Sequence, residues 1–360
     1  MRNVYLRVTL WSLDTAIRPG KGTTPFHDLS PEARYAALAG MVEKAYRRDE
    51  SNRLWDEYEG DRPVVASLFV APEYFFAASS TLHAMSETKK NEVIGALKAL
   101  SGQYEKLILV PGTIAWRKRL LRTDDEWYRR DRKTRQRTSV LKTESREERF
   151  YRRVNENLSK QHLMVDQYVE KHHGLDNPWV DLRRHQRVTE IEDERIRTVN
   201  QMWVGARTPE NCFIARNTLY AFHGGNEIAR YQKRINYEEV FDYESQNERV
   251  IFEPGGGPDG HGDRFELDDV TFGIEICADH QGGYLRHSGV VPDVHILVSA
   301  SVFVVPRYVT VREGSFLVHA SSDPDVTGVW NHQGERITLE TPQSVTHGEL
   351  HRAELQFRVD

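Results

Sequence analysis

Apolar and polar positions alternate from the first residues of the chain. In Val4-Tyr5-Leu6-Arg7-Val8-Thr9-Leu10-Trp11 every second side chain is aliphatic, the period of a strand. Ser30-Pro31-Glu32 then supplies a cap residue, a proline at the first helical position and an acid in the first turn. Ala36, Ala37, Leu38, Met41, Val42 and Ala45 follow as a helical stripe that runs out near Arg48. Pro63 to Ala71 is a short apolar run of the kind that forms a buried strand. Glu87 to Leu100 predicts a second helix, with Val93, Ile94, Leu97 and Leu100 on one face, and Lys106 to Val110 predicts a strand stopped by Pro111-Gly112. This alternation of strand and helix predicts a layered α/β fold with helices covering a sheet.

The rhythm is lost between Trp116 and Ala206, a stretch dense in Arg, Asp, Glu and Gln without an apolar run of strand length. It reads as a charged, mainly helical insertion over 117–206, within a single domain spanning 1–360. Strand signals return at Cys212 to Ala215 and Thr218 to Phe222. Gly224-Gly225-Asn226 makes a turn, and Ile228 to Ile235 completes a hairpin. Phe265 to Leu267, Val270 to Ile276, Val294 to Val298, Phe316 to Val318 and Val326 to Trp330 read as further strands. The loop Glu253 to Gly260 is rich in glycine but lacks the spacing of a phosphate cradle.

Composition narrows the function classes. The chain has 360 residues, enough for a sizeable core, and 29% of them are charged. It contains no run of the 18 or more apolar residues that a membrane span needs, and its start does not have the layout of a secretory signal. Two cysteines, Cys212 and Cys277, make no disulfide framework, so a reducing, cytoplasmic setting is expected. The net charge of −5 excludes a uniformly basic nucleic-acid binder. Residues 117–153 nevertheless hold 15 Lys and Arg against 7 Asp and Glu. The acids are interspersed among the bases, as on a salt-bridged helical surface, which argues against nucleic acid as a partner. His172, His173 and His185 match no metal-ligand spacing, and Cys212 reads as a small core residue.

Three reactive side chains stand at the ends of strand-like runs, where α/β sheets gather functional groups: Glu73 after Phe69 to Pro72, Lys233 after Ala229 to Gln232, and Cys277 after Phe272 to Ile276. Taken singly, each has an ordinary structural explanation. Together and in this order they resemble the nitrilase superfamily, the carbon–nitrogen hydrolases. Ala71-Pro72-Glu73-Tyr74-Phe75 is similar to that family's Pro-Glu motif, Arg230-Tyr231-Gln232-Lys233 to its Tyr-Arg-Lys motif, and Gly273-Ile274-Glu275-Ile276-Cys277-Ala278-Asp279 to its Gly-x-x-Ile-Cys-x-Asp motif. The hairpin around Arg216 to Tyr220 and the segment Pro292 to Ser301 resemble its frame, and the resemblance covers roughly residues 4–116 and 210–335.

The resemblance implies a four-layer α-β-β-α sandwich with a Glu-Lys-Cys triad and no metal or organic cofactor. Cys277 would attack an amide or nitrile carbon and Glu73 would move the protons. Lys233 and the Ala278 N–H would hold the oxyanion. A second glutamate follows the lysine in the family. Glu238 and Glu239 are the candidates here, Glu239 the favoured one. Tyr74, with Phe75 and Phe76, and His280 are placed at the pocket, where each could equally pack.

The chain also departs from the family. Ala278-Asp279 stands where nitrile-hydrolysing members carry Trp-Glu, which favours amides. Gln281-Gly282-Gly283 replaces the usual segment after the nucleophile. Val302 to Val311 is β-branched and interrupted by proline, so the family's long helix there, and dimerisation through it, is not expected. The expected substrate is a small or medium-sized carboxamide or ureido compound. A nitrile, or transfer of the thioester to an amine, stays open, as does a homo-oligomer. A reading of another class, an inactive binding protein that uses the basic insertion to contact nucleic acid or an acidic partner, is set against three chemically competent triad positions.

Overall fold

Residues 2–15, 26, 28–51, 64–77, 84–119, 212–235, 243–244, 249–252, 255 and 263–359 are described by a computed structural model of the protein. The chain divides into two compact units: one of Met1–Arg117, Arg216–Phe241 and Gly260–Asp360, the other of Lys118–Ala215 and Asp242–Asp259. In the second unit, residues Cys212 to Ala215 pair in parallel with Arg249–Phe252, which pairs antiparallel with Tyr243–Glu244. The helical insertion expected over 117–206 lies, from residue 120 onward, outside the described residues.

The first unit is built on two sheets. Strand β1 (Arg2–Ser12) lies between β2 (Val64–Val70), parallel to it, and the C-terminal strand Glu349–Val359, antiparallel to it. β2 is followed in the sheet by the parallel strand Leu107–Val110 and then by Cys212–His223, whose hairpin partner is Asn226–Gln232. The second sheet runs in chain order. Arg264–Leu267 pairs with Val270–Ile276, which is parallel to Val294–Ser299. That strand is parallel in turn to Phe316–Ser321, and Gly328–Asn331 closes the edge antiparallel.

Period-two alternation assembles the layers. Val4, Leu6, Val8, Leu10, Leu68, Val70, Ile108 and Leu219 from the first sheet meet Phe272, Ile274, Ile276, Ile296, Val298 and Val318 from the second in one buried core. The odd-numbered neighbours Trp11, Phe69, Ala71, Leu107 and Leu109 face the other way. They pack with Leu38, Val42 and Ala45 of α1 (Pro31–Ser51) and with Val93, Ile94, Leu97 and Leu100 of α2 (Glu87–Ser101). Beyond the second sheet, Leu297, Leu317 and Trp330 pack with Val304, Val309 and Val311, and the short helices α3 (Ala278–Gln281) and α4 (Tyr284–His287) cover the rest. The result is the expected α/β sandwich of helix, sheet, sheet and an outer layer. That outer layer is two four-residue helices and irregular chain, and residues 300–315 form only a single 3₁₀ turn at Pro306–Tyr308, as the β-branched sequence requires.

Three details differ from the sequence reading. The buried stripe of α1 is Arg34, Leu38, Val42 and Ala45, while Ala36 is exposed. Arg34 is carried inside because its guanidinium donates to the Leu29 and Phe75 carbonyls and stacks on Phe26. The signals at 212–215 and 218–222 belong to one strand, and the hairpin's return strand stops at Gln232, one residue before Lys233. Thr113–Arg119 and Glu349–Val359 are strands that the apolar pattern did not single out. Among the described residues, no helix is long and apolar enough to cross a membrane.

Candidate active site

Glu73 sits in the turn after β2. Its neighbour Tyr74 has φ of +58°, and the turn is pinned by Tyr74 N–H to Thr113 Oγ1 (2.8 Å) and by Phe76 N–H to the Thr113 carbonyl (3.0 Å). Gly112 lies directly beneath. Its φ is +75°, and a Cβ there would fall 2.0 Å from the Pro72 carbonyl oxygen, so only glycine lets the two turns touch. The Thr15 hydroxyl donates to the Glu73 carbonyl and contacts Ser322 Oγ.

The carboxylate is fully buried and accepts three hydrogen bonds. Oε1 accepts from Lys233 Nζ and from Asn217 Nδ2, each at 2.8 Å, and Oε2 accepts from the Ala300 N–H at 3.0 Å. Lys233 is also buried, anchored by its own N–H to the Asn217 carbonyl (2.9 Å), with Nζ 5.7 Å from the centre of the Tyr74 ring. A buried ion pair is tolerated only when further hydrogen bonds satisfy it, and Asn217 and Ala300 supply those to the carboxylate.

Cys277 follows the strand Val270–Ile276 with φ +49° and ψ −112°, a conformation that costs a non-glycine residue about 1–3 kcal/mol. Its N–H donates to the Val298 carbonyl at 2.8 Å. Burial pushes the thiol well above its ordinary value and the nearby Glu73 carboxylate pushes the same way. Lys233 and the Ala300 N–H pull against them without prevailing. Burial and the Glu73 carboxylate thus favour a resting thiol over a thiolate.

Asp279, two residues on, ties the lysine segment to the cysteine segment. It accepts from the Tyr231 hydroxyl (2.8 Å), the Arg234 N–H (3.1 Å) and the Ile235 N–H (2.7 Å). Burial pushes its pKa up to about 7 against those hydrogen bonds and the Lys233 charge.

The structure thus brings Glu73, Lys233 and Cys277 together. Tyr74 lies beside Lys233, and Ala278 is the first residue of α3, whose N–H is one of the donors left over at a helix start. Phe75 and Phe76 are packed in the helix-side core. His280, expected at the pocket, is fully buried with both ring nitrogens engaged: Nδ1 lies 2.8 Å from Glu275 Oε2, and Nε2 accepts the Val305 N–H at 3.1 Å. Glu238 and Glu239 lie outside the described residues, as do His172, His173, His185 and the side chain of Cys212.

Two contributors went unassigned in the sequence. Asn217 is a polar residue inside an apolar strand, and Ala300 acts through its backbone, which carries no sequence signal. Glu275, His280 and His295 place one potential ligand atom each within 4.8 Å of one another. Because Nε2 of His280 accepts an N–H, its ring proton is on Nδ1 and points at Glu275. That arrangement fits a hydrogen-bonded cluster and leaves His280 no lone pair there for a cation.

No protein-family model matches the chain, and no curated protein matches it. Among solved structures it is similar to a carbon-nitrogen hydrolase from Helicobacter pylori G27 (11% identity over 98% of this chain and 89% of that one, TM-score 0.42). It is also similar to glutamine-dependent NAD+ synthetases from Cytophaga hutchinsonii (11% identity, 98% and 43% covered, TM-score 0.41) and Acinetobacter baumannii (12% identity, 97% and 45% covered, TM-score 0.43). The chain spans less than half the length of those two synthetases.

Proposed function

We propose that the protein is a thiol-dependent carbon–nitrogen hydrolase of the nitrilase type. It cleaves a non-peptide C–N bond of a small or medium-sized carboxamide or ureido compound through a thioester on Cys277. The observation that carries this reading is the buried Glu73 carboxylate, hydrogen-bonded to the Lys233 ammonium, with both charges acting on the buried Cys277 thiol.

In the first half-reaction Sγ attacks the carbonyl carbon while the S–H proton passes to Glu73. A thiol held above its usual pKa needs such a base in contact with it. Negative charge grows on the carbonyl oxygen, and Lys233 with the Ala278 N–H stabilises it. Glu73 returns the proton to the departing nitrogen, the C–N bond breaks and ammonia or an amine leaves. In the second half-reaction water gives a proton to Glu73 and adds to the thioester carbon. Cys277 leaves and is reprotonated. Glu239 is proposed as the second carboxylate beside Lys233, and Tyr74 as a wall of the substrate site.

The test is a panel of amides, ureas and nitriles assayed for ammonia release, with Cys277→Ala as the blank. Turnover of a carboxamide or urea that vanishes in the blank supports the proposal. Nitrile turnover alone replaces amidase by nitrilase, and turnover that survives in Cys277→Ala removes the nucleophile.

A further inference from the structure

Strand Val270–Ile276 turns Ile274 and Ile276 into the core between the sheets and Glu275 to the opposite face, beneath α3 and α4. Glu275 is fully buried, two residues before the nucleophile. Its Oε1 accepts the Leu285 N–H at the start of α4 (2.7 Å), and its Oε2 faces His280 Nδ1 in α3 (2.8 Å). His295 Nε2 approaches the same oxygen at 3.0 Å, so a second buried ring faces this carboxylate. The far side of the His280 ring accepts the Val305 N–H. Val305 ends the segment that begins at Ala300, whose N–H donates to Glu73 Oε2.

A four-residue helix cannot hold a strained residue in place by its own hydrogen bonds. Something must over-determine the positive φ of Cys277. We infer that Glu275 and His280 form a clamp across the Cys277 turn that positions the thiol, and the Ala300 N–H, against Glu73. Both are positioning residues, and the inference rests on the reading of Cys277 as nucleophile. The clamp works with one protonation pattern: a carboxylate that only accepts, and an imidazole that donates from Nδ1 while accepting at Nε2.

Three variants test it. Glu275→Gln keeps the shape and an acceptor for Leu285 but sets an amide N–H against the His280 proton. His280→Phe keeps a ring and loses both contacts. His280→Gln retains one donor and one acceptor. Glu275→Gln and His280→Phe are expected to fold by circular dichroism, with kcat on the best carboxamide of the panel down roughly 10²-fold and KM within about threefold. The pH at which iodoacetamide alkylates Cys277 half-maximally should move by about one unit, a readout that needs no substrate. His280→Gln should recover to within about tenfold of the parent kcat. Parent kcat and alkylation profile in folded Glu275→Gln and His280→Phe overturn the clamp. Unfolding of both also overturns it, assigning the cluster to stability alone. Turnover retained in Cys277→Ala sinks instead the hydrolase reading, so the two failures are distinct.

Discussion

A thiol that stays protonated attacks only as fast as its neighbour takes the proton, so Glu73 and Lys233 should control Cys277 in opposite directions. Glu73→Gln removes a negative charge that holds the thiol up. Cys277 should then be alkylated by iodoacetamide faster than in the parent at pH 8.5, while turnover falls about 10²–10⁴-fold for want of a base. Lys233→Met removes the opposing positive charge, and alkylation at the same pH should slow. Equal shifts of the same sign would rule out this electrostatic arrangement. Cys277→Ala should abolish ammonia release and leave the thermal midpoint within a few degrees, since it deletes one sulfur at a strained position. Glu73, Lys233 and Cys277 could be singled out in the sequence because each follows a strand-like run and the three stretches together resemble one family's motifs. Asn217 and Ala300 were not: one is an isolated amide in a strand, the other a backbone donor. Glu275 had a visible signal, a charge in the middle of a buried run, whose meaning depended on His280 folding back over it.

Elements carrying one clean period were read almost to the residue. α2, Glu87–Ser101, has its Ser86 cap on the Lys89 N–H, and the strand Val270–Ile276 matches the span expected. α1 was misfaced because a buried arginine broke the apolar count, and its partners are carbonyls that a sequence does not display. The last strand, Glu349–Val359, alternates Leu355, Phe357 and Val359 inward, but its pairing with β1 is a contact across the whole chain. The link between Leu107–Val110 and Thr113–Arg119 carries a prediction of its own. Gly112→Ala puts a methyl group into the Pro72 carbonyl at a positive φ and should destabilise the protein by about 3 kcal/mol or more. Because the displaced turn holds Glu73, kcat should fall along with the urea midpoint. A Gly112→Ala protein with parental stability would show that the turns separate freely.

At the scale of the molecule, buried histidines set the response to acid. Burial lowers His319 to about 3, and burial lowers His295 and His351 as well. The unfolded chain takes up these protons near pH 6.5, so the stability they represent is present above that value and is lost as pH falls toward 3. Asp279 acts in the other sense. Raised from 3.8 to about 7, it favours the folded state most below its unfolded value and loses that contribution as pH rises through 7. With three histidines against one aspartate, the urea midpoint should drop between pH 7.5 and pH 5, and less steeply in His319→Gln. An unchanged midpoint would mean that these rings titrate alike in both states.

The Glu73 carboxylate draws its three donors from Asn217, Lys233 and Ala300, chain positions far from Glu73 and on different sides of the sandwich. A newly made chain that has closed one sheet and not the other carries a glutamate and a cysteine with nothing to join them. On the proposed hydrolase reading, activity then requires both sheets to have docked. Hydrolytic rate, followed during refolding, would serve as a stopwatch for sheet docking rather than for secondary structure.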